Sequence, residues 1–226
     1  MPEMHTIKQY EEELRLIKEK VLRLGGIVEE QIARSIKALV SRDSALARTA
    51  IEEDHVVNGM EVEIDELCLK ILALRQPAAS DLRLITTAIK IITDLERIGD
   101  MAVNVCERVL ELNEEPPLKP YIDIPRMAEA SQKMLKESLD AFVNGDTILA
   151  TTVLSEDDFV DELNRQIFRE LLTFMIEDPS TITRAMKVLF ISKYLERIGD
   201  HATNIAEMVV FMVKGKVIRH IKPTQE

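Results

Sequence analysis

Two acidic motifs recur along the chain with a spacing that suits metal binding. Glu96-x-x-x-Asp100 reappears 100 residues later as Glu196-x-x-x-Asp200. Residues four apart lie on the same face of a helix, so each motif places two carboxylates side by side. These like charges repel each other, and a bound cation would relieve the repulsion. Oxygen ligands suit a hard divalent ion or an iron-type ion, and the lack of paired Cys or His argues against zinc.

Each motif belongs to a longer polar row, and a second polar row lies on the helix before it. Helical spacing places every row along the edge of an apolar stripe. If the two helices of a copy pack antiparallel, the rows meet beside the seam, and two carboxylates of one helix face two oxygen ligands of the next. The rows are Asp54, Asn58, Glu61 and Asp65 with Glu96, Asp100, Asn104 and Glu107, then Asp157, Asp161 and Asn164 with Glu196, Asp200, Asn204 and Glu207.

A glycine lies within each acidic motif, at Gly99 and Gly199. Since glycine has no side chain, we expect the neighbouring helix or the metal to come close at these two points. His201 follows the second motif but points elsewhere on the helical wheel, so we expect it on the surface.

Two other interpretations of the acidic rows stay open. Acidic residues beside an apolar stripe commonly form a solvated border, in which Arg97 and Arg197 would pair with them across a helix interface. A carboxylate-bridged di-iron enzyme is the second alternative, because Glu52-x-x-His55 matches half of the required motif. That enzyme needs the motif on two helices, and the second copy has Ser155 and Asp158 at those places.

Six amphipathic helices are predicted to hold these rows. Breaks rich in Pro, Gly, Ser and Asp divide the chain, and apolar residues recur every three or four positions between them. On the third helix, the predicted buried stripe is Ile85, Ile89, Ile92, Gly99, Val103 and Leu110. The predicted N-caps are Asp43, Asp146 and Ser180. The helices span residues 6–40, 44–75, 80–113, 123–143, 147–176 and 181–214.

An internal repeat decides how these helices are grouped. Residues 95–100 (LERIGD) recur identically at 195–200, and a Pro-rich segment at 114–120 lies between the copies. Short connections between long helices indicate antiparallel neighbours in a bundle. We therefore predict an all-α protein of two pseudo-repeated three-helix bundles packed side by side. The predicted domains are 1–113 and 121–226, joined by the linker 114–120.

Composition limits the partners and the compartment. The formal net charge is −11, which disfavours nucleic acid and anionic lipid surfaces. No apolar run reaches the ~20 residues of a membrane helix, so we expect no direct membrane insertion. Cys68 and Cys106 are far apart in sequence. Together with an N-terminus that has no signal-peptide pattern, they favour the reducing cytoplasm.

The motifs resemble those of the PhoU family. The resemblance rests on residues 76–83 (QPAASDLR), 94–100 (DLERIGD) and 195–204 (LERIGDHATN), and it covers nearly the whole chain. It implies a non-enzymatic, commonly homodimeric regulator that keeps phosphate uptake in check. Family members couple the phosphate ABC transporter, through its ATPase component, to a phosphate-sensing histidine kinase, and they repress the phosphate-starvation response when phosphate is plentiful.

The resemblance also implies metal sites, because some family members bind metal, including iron clusters, at paired acidic motifs. One departure concerns Asn58, where the family motif has Asp. An amide offers one carbonyl oxygen but no charge, so we expect weaker metal binding in the first copy. Carried over by position, the implied ligands are Asp54, Asn58, Glu96 and Asp100 in the first copy and Asp157, Asp161, Glu196 and Asp200 in the second.

Overall fold

The computed structural model describes residues 2–216, with side chains from residue 8 onward. Within this range the chain is helical and has no strand. None of its helices is both long and apolar enough to cross a membrane. The helices are α1 (Pro2–Ser41), α2 (Ser44–Glu52), α3 (Asp54–Leu74), α4 (Ala79–Asn113), α5 (Asp123–Asn144), α6 (Thr147–Glu177) and α7 (Ile182–Lys214).

The predicted all-α fold is confirmed, with one difference in the second predicted helix. That helix is interrupted at Glu53, which separates α2 from α3. Glu53 has φ −78° and ψ −4°, so its backbone is right-handed but its ψ lies outside the regular helical range, and the helix breaks there. Asp54, the first predicted metal ligand, thereby becomes the first residue of α3.

Aspartates start two of the helices as predicted. Asp43 Oδ1 accepts hydrogen bonds from two backbone N–H groups at the start of α2, at 3.0 and 2.9 Å. Asp146 Oδ1 does the same at the start of α6, at 2.9 and 3.0 Å. The predicted N-cap at Ser180 is wrong. Asp178 caps a 3₁₀ turn over Pro179–Thr181 instead, because Pro179 ends α6 and a tighter turn precedes α7.

Two bundles lie side by side, the first formed by α1 to α4 and the second by α5 to α7. The helices α4 and α7 pack against each other at the centre, and α1 packs against α5. The central pair is antiparallel, since Arg83 Nε donates to the Met212 carbonyl (3.0 Å) and His201 Nδ1 lies 2.7 Å from Asp94 Oδ1. The expectation that His201 lies on the surface is therefore wrong, because its side chain is only 18% exposed between the bundles.

The buried face of α4 is wider than the predicted stripe. Ile85, Ile92 and Gly99 are buried as expected, but the rest of the stripe is only half-buried. The helix packs against α1 and α3 on one side and α7 on the other, so most of its circumference meets protein. Fully buried residues outside the stripe include Leu95, Ile98 and Val105.

The turn between α1 and α2 is held by one arginine. Arg42 has a left-handed φ of 56°, and its guanidinium donates to the backbone carbonyls of Leu112, Asn113 and Glu115 at the C-terminus of α4. The last carbonyls of a helix lack partners within it, and here the Leu112 carbonyl also accepts from the Glu115 N–H at 3.4 Å. Arg42 therefore adds a donor at the C-terminus of α4 and fixes the turn against it.

Two substitutions of Arg42 distinguish the stabilising effect of its hydrogen bonds to α4 from the cost of its left-handed backbone conformation. Arg42→Ala is expected to lower the free energy of unfolding by about 1–3 kcal/mol, because it leaves carbonyls of α4 without their donor. Arg42→Gly also removes the guanidinium but relieves the left-handed strain, and should be about 1 kcal/mol more stable than the alanine variant. Thermal unfolding followed by circular dichroism measures both. Equal stability of the two variants would show that the backbone is not strained here.

Candidate functional site

The two glycines bring the polar rows together as predicted. A Cβ atom built on Gly99 would lie 3.3 Å from Val57 Cγ1 and 3.7 Å from Asp54 Oδ1. One built on Gly199 would lie 3.5 Å from Val160 Cγ1 and 3.4 Å from Asp157 Oδ1. The absence of side chains at these points lets α3 approach α4, and α6 approach α7, with a carboxylate beside each contact.

Four carboxylates gather in the second copy. Burial, together with the negative charges of Asp200, Asp161, Asp158 and Glu196, raises the pKa of Asp157 from 3.8 to about 6. Partial burial, and then the charge of Glu196, also raise the pKa of Asp200. All four implied ligands of this copy therefore act on one another, which places them in one cluster between α6 and α7.

The first copy has the same arrangement with less charge. Burial and then the charge of Asp100 raise the pKa of Glu96, while burial and then the charge of Asp54 raise that of Asp100. Asn58 Nδ2 donates a hydrogen bond of 2.9 Å to Asp54 Oδ2, and the other oxygen of Asp54 is buried without a partner. The amide therefore donates a hydrogen bond to Asp54, and the first copy has three negative charges where the second has four.

In neither cluster are the side chains close enough together to coordinate a metal ion as they stand. In the part of the chain that the structure describes, no group of three or more His, Cys, Asp or Glu side chains is arranged to hold a metal ion. Lys193 pairs with Glu196, and Arg97 Nε lies 3.5 Å from Glu96 Oε2. A cation at either cluster would have to displace these basic groups and draw the carboxylates inward. The donor set itself, made of oxygens that repel one another, suits a hard cation.

Sequence reasoning missed Gln31 on α1. Its side chain is 6% exposed, and neither its amide nitrogen nor its amide oxygen has a hydrogen-bond partner. Its Oε1 lies 3.2 Å from the Cβ position of Gly99, beside the first cluster. The second copy has Met134 near Gly199 instead. This exchange of an amide for a thioether between the copies is a signal that comparing the repeats could have found.

The histidine of the half di-iron motif takes no part in the cluster. His55 is exposed, and its Nδ1 lies 2.7 Å from the backbone carbonyl of Glu52. Asp81 and Arg83, which have no equivalents in the second copy, make structural contacts. The Tyr10 hydroxyl donates to Asp81 Oδ2 (3.0 Å), and Arg83 joins α4 to α7 as described above.

Comparison with known proteins identifies the family. The family model described as the PhoU domain matches the chain twice, at residues 21–109 and 124–209. The chain belongs to the PhoU family. One relative, the phosphate-specific transport system accessory protein PhoU homolog of Pseudomonas aeruginosa, is 44% identical over 98% of this chain and 92% of its own. The phosphate-specific transport system accessory protein PhoU of Escherichia coli is 41% identical over 96% of this chain and 90% of its own.

Solved structures of the PhoU family have the same fold. The crystal structure of PhoU from Pseudomonas aeruginosa superposes with a TM-score of 0.87 at 44% identity, over 92% of this chain and 100% of that one. That of the phosphate transport system regulatory protein PhoU from Streptococcus pneumoniae gives 0.86 at 29% identity, over 92% of this chain and 98% of that one. The resemblance noted in the sequence is thereby confirmed.

The carboxylate cluster predicts a pH-dependent gain in stability on substitution. Because the pKa of Asp157 rises from 3.8 to about 6 on folding, ionised Asp157 destabilises the folded chain, and the penalty grows as pH rises between these values. In EDTA at pH 7.5, Asp157→Asn is expected to unfold with about 1 kcal/mol more free energy than the natural chain, since solvent screens part of the repulsion.

Urea unfolding between pH 4 and pH 8 measures the effect. The gain from Asp157→Asn should shrink progressively from about pH 6 to about pH 4, where the unfolded state also takes up the proton. Glu12→Gln, which removes an exposed carboxylate on α1, is the control. A destabilised Asp157→Asn variant, or a gain independent of pH, would contradict mutual repulsion in the cluster.

Proposed function

We propose that this chain is a non-enzymatic regulator of phosphate homeostasis. It restrains phosphate uptake and the phosphate-starvation response by coupling the phosphate ABC transporter, through its ATPase component, to the phosphate-sensing histidine kinase. The observation that carries the proposal is the match to PhoU-family relatives over nearly the full length of both chains, two of which are named as accessory proteins of phosphate-specific transport. In this proposal the chain acts in the cytoplasm as a homodimer.

Metal binding is the second part of the proposal. Asp157, Asp161, Glu196 and Asp200 would hold a divalent or iron-type cation, and Asp54, Asn58, Glu96 and Asp100 would hold one more weakly. A bound cation would neutralise carboxylates that now repel each other, so its chemistry here is charge compensation between two helices. The support is the position of Asp54 and Asp157 beside the glycine contacts, and the raised pKa values of Asp157 and Asp200, to which neighbouring carboxylates contribute.

A di-iron enzyme gains no specific support. The Glu52-x-x-His55 half-motif has no second copy, and His55 contacts a backbone carbonyl beside an exposed turn. A solvated acidic border accounts for the pairs that Glu196 makes with Lys193 and Glu96 with Arg97, but it fits Asp157 less well, because this residue is half-buried and four other carboxylates raise its pKa. In the proposed regulatory role, a bound metal ion is therefore a structural or signalling ligand and takes part in no reaction.

Exchanging the charge between the two copies tests the metal sites. Asp161→Asn gives the second copy the amide of the first, and Asn58→Asp gives the first copy the carboxylate of the second. After dialysis against a trace-metal mixture, elemental analysis is expected to show less bound metal in Asp161→Asn and more in Asn58→Asp than in the natural chain. Glu12→Gln, an exposed position on α1 outside the clusters, should bind as the natural chain does. Equal metal content in all four proteins would remove the metal from the proposal.

Deleting the gene in its own host tests the regulatory role. In phosphate-rich medium, a reporter under a phosphate-starvation promoter should be switched on by the deletion and switched off again by the natural chain supplied in trans. The double variant Asp157→Asn/Asp161→Asn tests whether the cluster is needed for repression. A reporter that stays silent in the deletion strain, while responding normally to starvation, would overturn the regulatory assignment whatever the metal analysis shows.

A further inference from the structure

The second bundle leaves a strip of large apolar side chains uncovered. Three lie on α6 and three on α7, at four-residue spacing on each helix, so each trio lies on one helix face. Their exposed fractions run from 36% to 73%, which is unusual for six large apolar side chains on one surface. The apolar strip consists of Phe168, Leu172, Ile176, Ile182, Met186 and Phe190.

The two trios form one surface because α6 and α7 pack as an antiparallel pair. The 3₁₀ turn at Pro179–Thr181 joins the helices, and the Ser192 hydroxyl donates to Asn164 Oδ1 (2.9 Å) further along the pair. Between them lies a groove with a volume of about 450 Å³, at the end of the strip that holds Phe168 and Phe190. The strip runs about 12 Å along α6, the rise of two helical turns.

The rim of the groove is basic although the chain as a whole is acidic. Arg165, Arg169 and Lys193 line the groove, and no Asp or Glu lies among its described lining residues. Their side chains are 55% to 64% exposed. Arg165 and Arg169 share one carboxylate, that of Glu162, at 3.5 and 3.1 Å. The local charge is thus positive on a chain whose net charge is −11.

The first bundle has the same fold but lacks the aromatic rings and the basic rim, although Leu69 and Leu82 are exposed at two equivalent positions. Aligning Glu156-Asp157 with Glu53-Asp54, and the two LERIGD segments with each other, gives the equivalent positions. The strip corresponds to Asp65, Leu69, Ala73, Leu82, Thr86 and Lys90, and the basic rim corresponds to Val62, Glu66 and Thr93. Since the first bundle folds without them, the exposed aromatic rings and the basic rim of the second bundle are not needed for the fold.

We propose that this groove docks an amphipathic helix of a partner protein, with an apolar face bordered by Asp and Glu. An apolar trough between two helices, with contacts at four-residue spacing, fits the helix-in-groove mode of recognition. Charge complementarity selects the acidic border, because the three rim cations have fewer nearby carboxylates than they can pair with. A second copy of the chain fits less well, since a two-fold contact through the strip would bring two basic rims together.

Designed peptides test the groove without knowledge of the partner. Two fluorescein-labelled helices of about 18 residues carry the same leucine face, one bordered by Glu and the other by Lys. Fluorescence anisotropy should show tighter binding of the Glu-bordered peptide, even though the net charge of −11 favours the Lys-bordered one. Tighter binding of the Lys-bordered peptide would overturn the proposal.

Matched variants of the two bundles test whether the peptide binds at the apolar strip. Leu172→Glu should weaken binding of the Glu-bordered peptide by about tenfold or more, as expected for a residue within a docking surface. Leu69→Glu makes the same change at the equivalent exposed position of the first bundle and should leave binding unchanged. The double variant Arg165→Glu/Arg169→Glu should reverse the preference between the peptides. Equal effects of the two leucine variants would contradict the groove.

Sedimentation of the same proteins separates a second copy from a partner helix. If Leu172→Glu converts a dimer to a monomer while the natural chain binds neither peptide, the strip is an interface between copies and the proposal is wrong. If the oligomeric state is unchanged and peptide binding is lost, the partner helix is supported. Neither result depends on phosphate regulation, which the reporter measures separately.

Discussion

The contact of a helix backbone with a facing carboxylate at Gly99 and Gly199 controls the chemistry of both bundles. With no side chain at these points, a valine and an aspartate of the preceding helix lie against α4 or α7. The aspartates are partly buried and lie near the Glu and Asp of the motif. The resulting repulsion between carboxylates lowers the stability of the folded chain, but it places several oxygen donors close together, and functional sites commonly cost stability in this way.

Duplication lets the two bundles keep one fold while their surfaces diverge. Asn58 and Gln31 give the first cluster two amides, where the second has Asp161 and Met134. The outer face of α6 and α7 carries exposed aromatic rings and arginines, where the equivalent positions of α3 and α4 carry aliphatic, small, acidic and other polar residues. Most of these changes lie at helix edges and outer faces, away from the packed interior, whereas the exchange of Gln31 for Met134 replaces one buried side chain of similar size with another.

The sequence predicts well what depends on local pattern. Helical periodicity, Pro breaks, the Asp43 and Asp146 caps, and the glycine contacts all follow from residue types and spacing. Features that depend on a helix other than the two that carry the polar rows of one copy are not predicted. The burial of His201 and the wide buried face of α4 require knowing that α4 packs on α7, and Gln31 lies on a helix that no polar-row argument included. Whether the ligand sets bind metal stays a prediction, because spacing fixes which donors meet but not what occupies them.

Lys193 lies between the carboxylate cluster and the apolar groove of the second bundle. Its ammonium group pairs with Glu196 in the carboxylate cluster, and its side chain lines the groove on the outer face of α7. One ammonium group closely neutralises one carboxylate at a time. An acid docked in the groove would therefore compete with Glu196 for the same charge, and a cation bound among the carboxylates would free that charge for the groove. By linkage each of the two proposed ligands would favour the other to the same degree. Such cooperativity requires only that one lysine turn about its side-chain bonds, while the helices stay where they are.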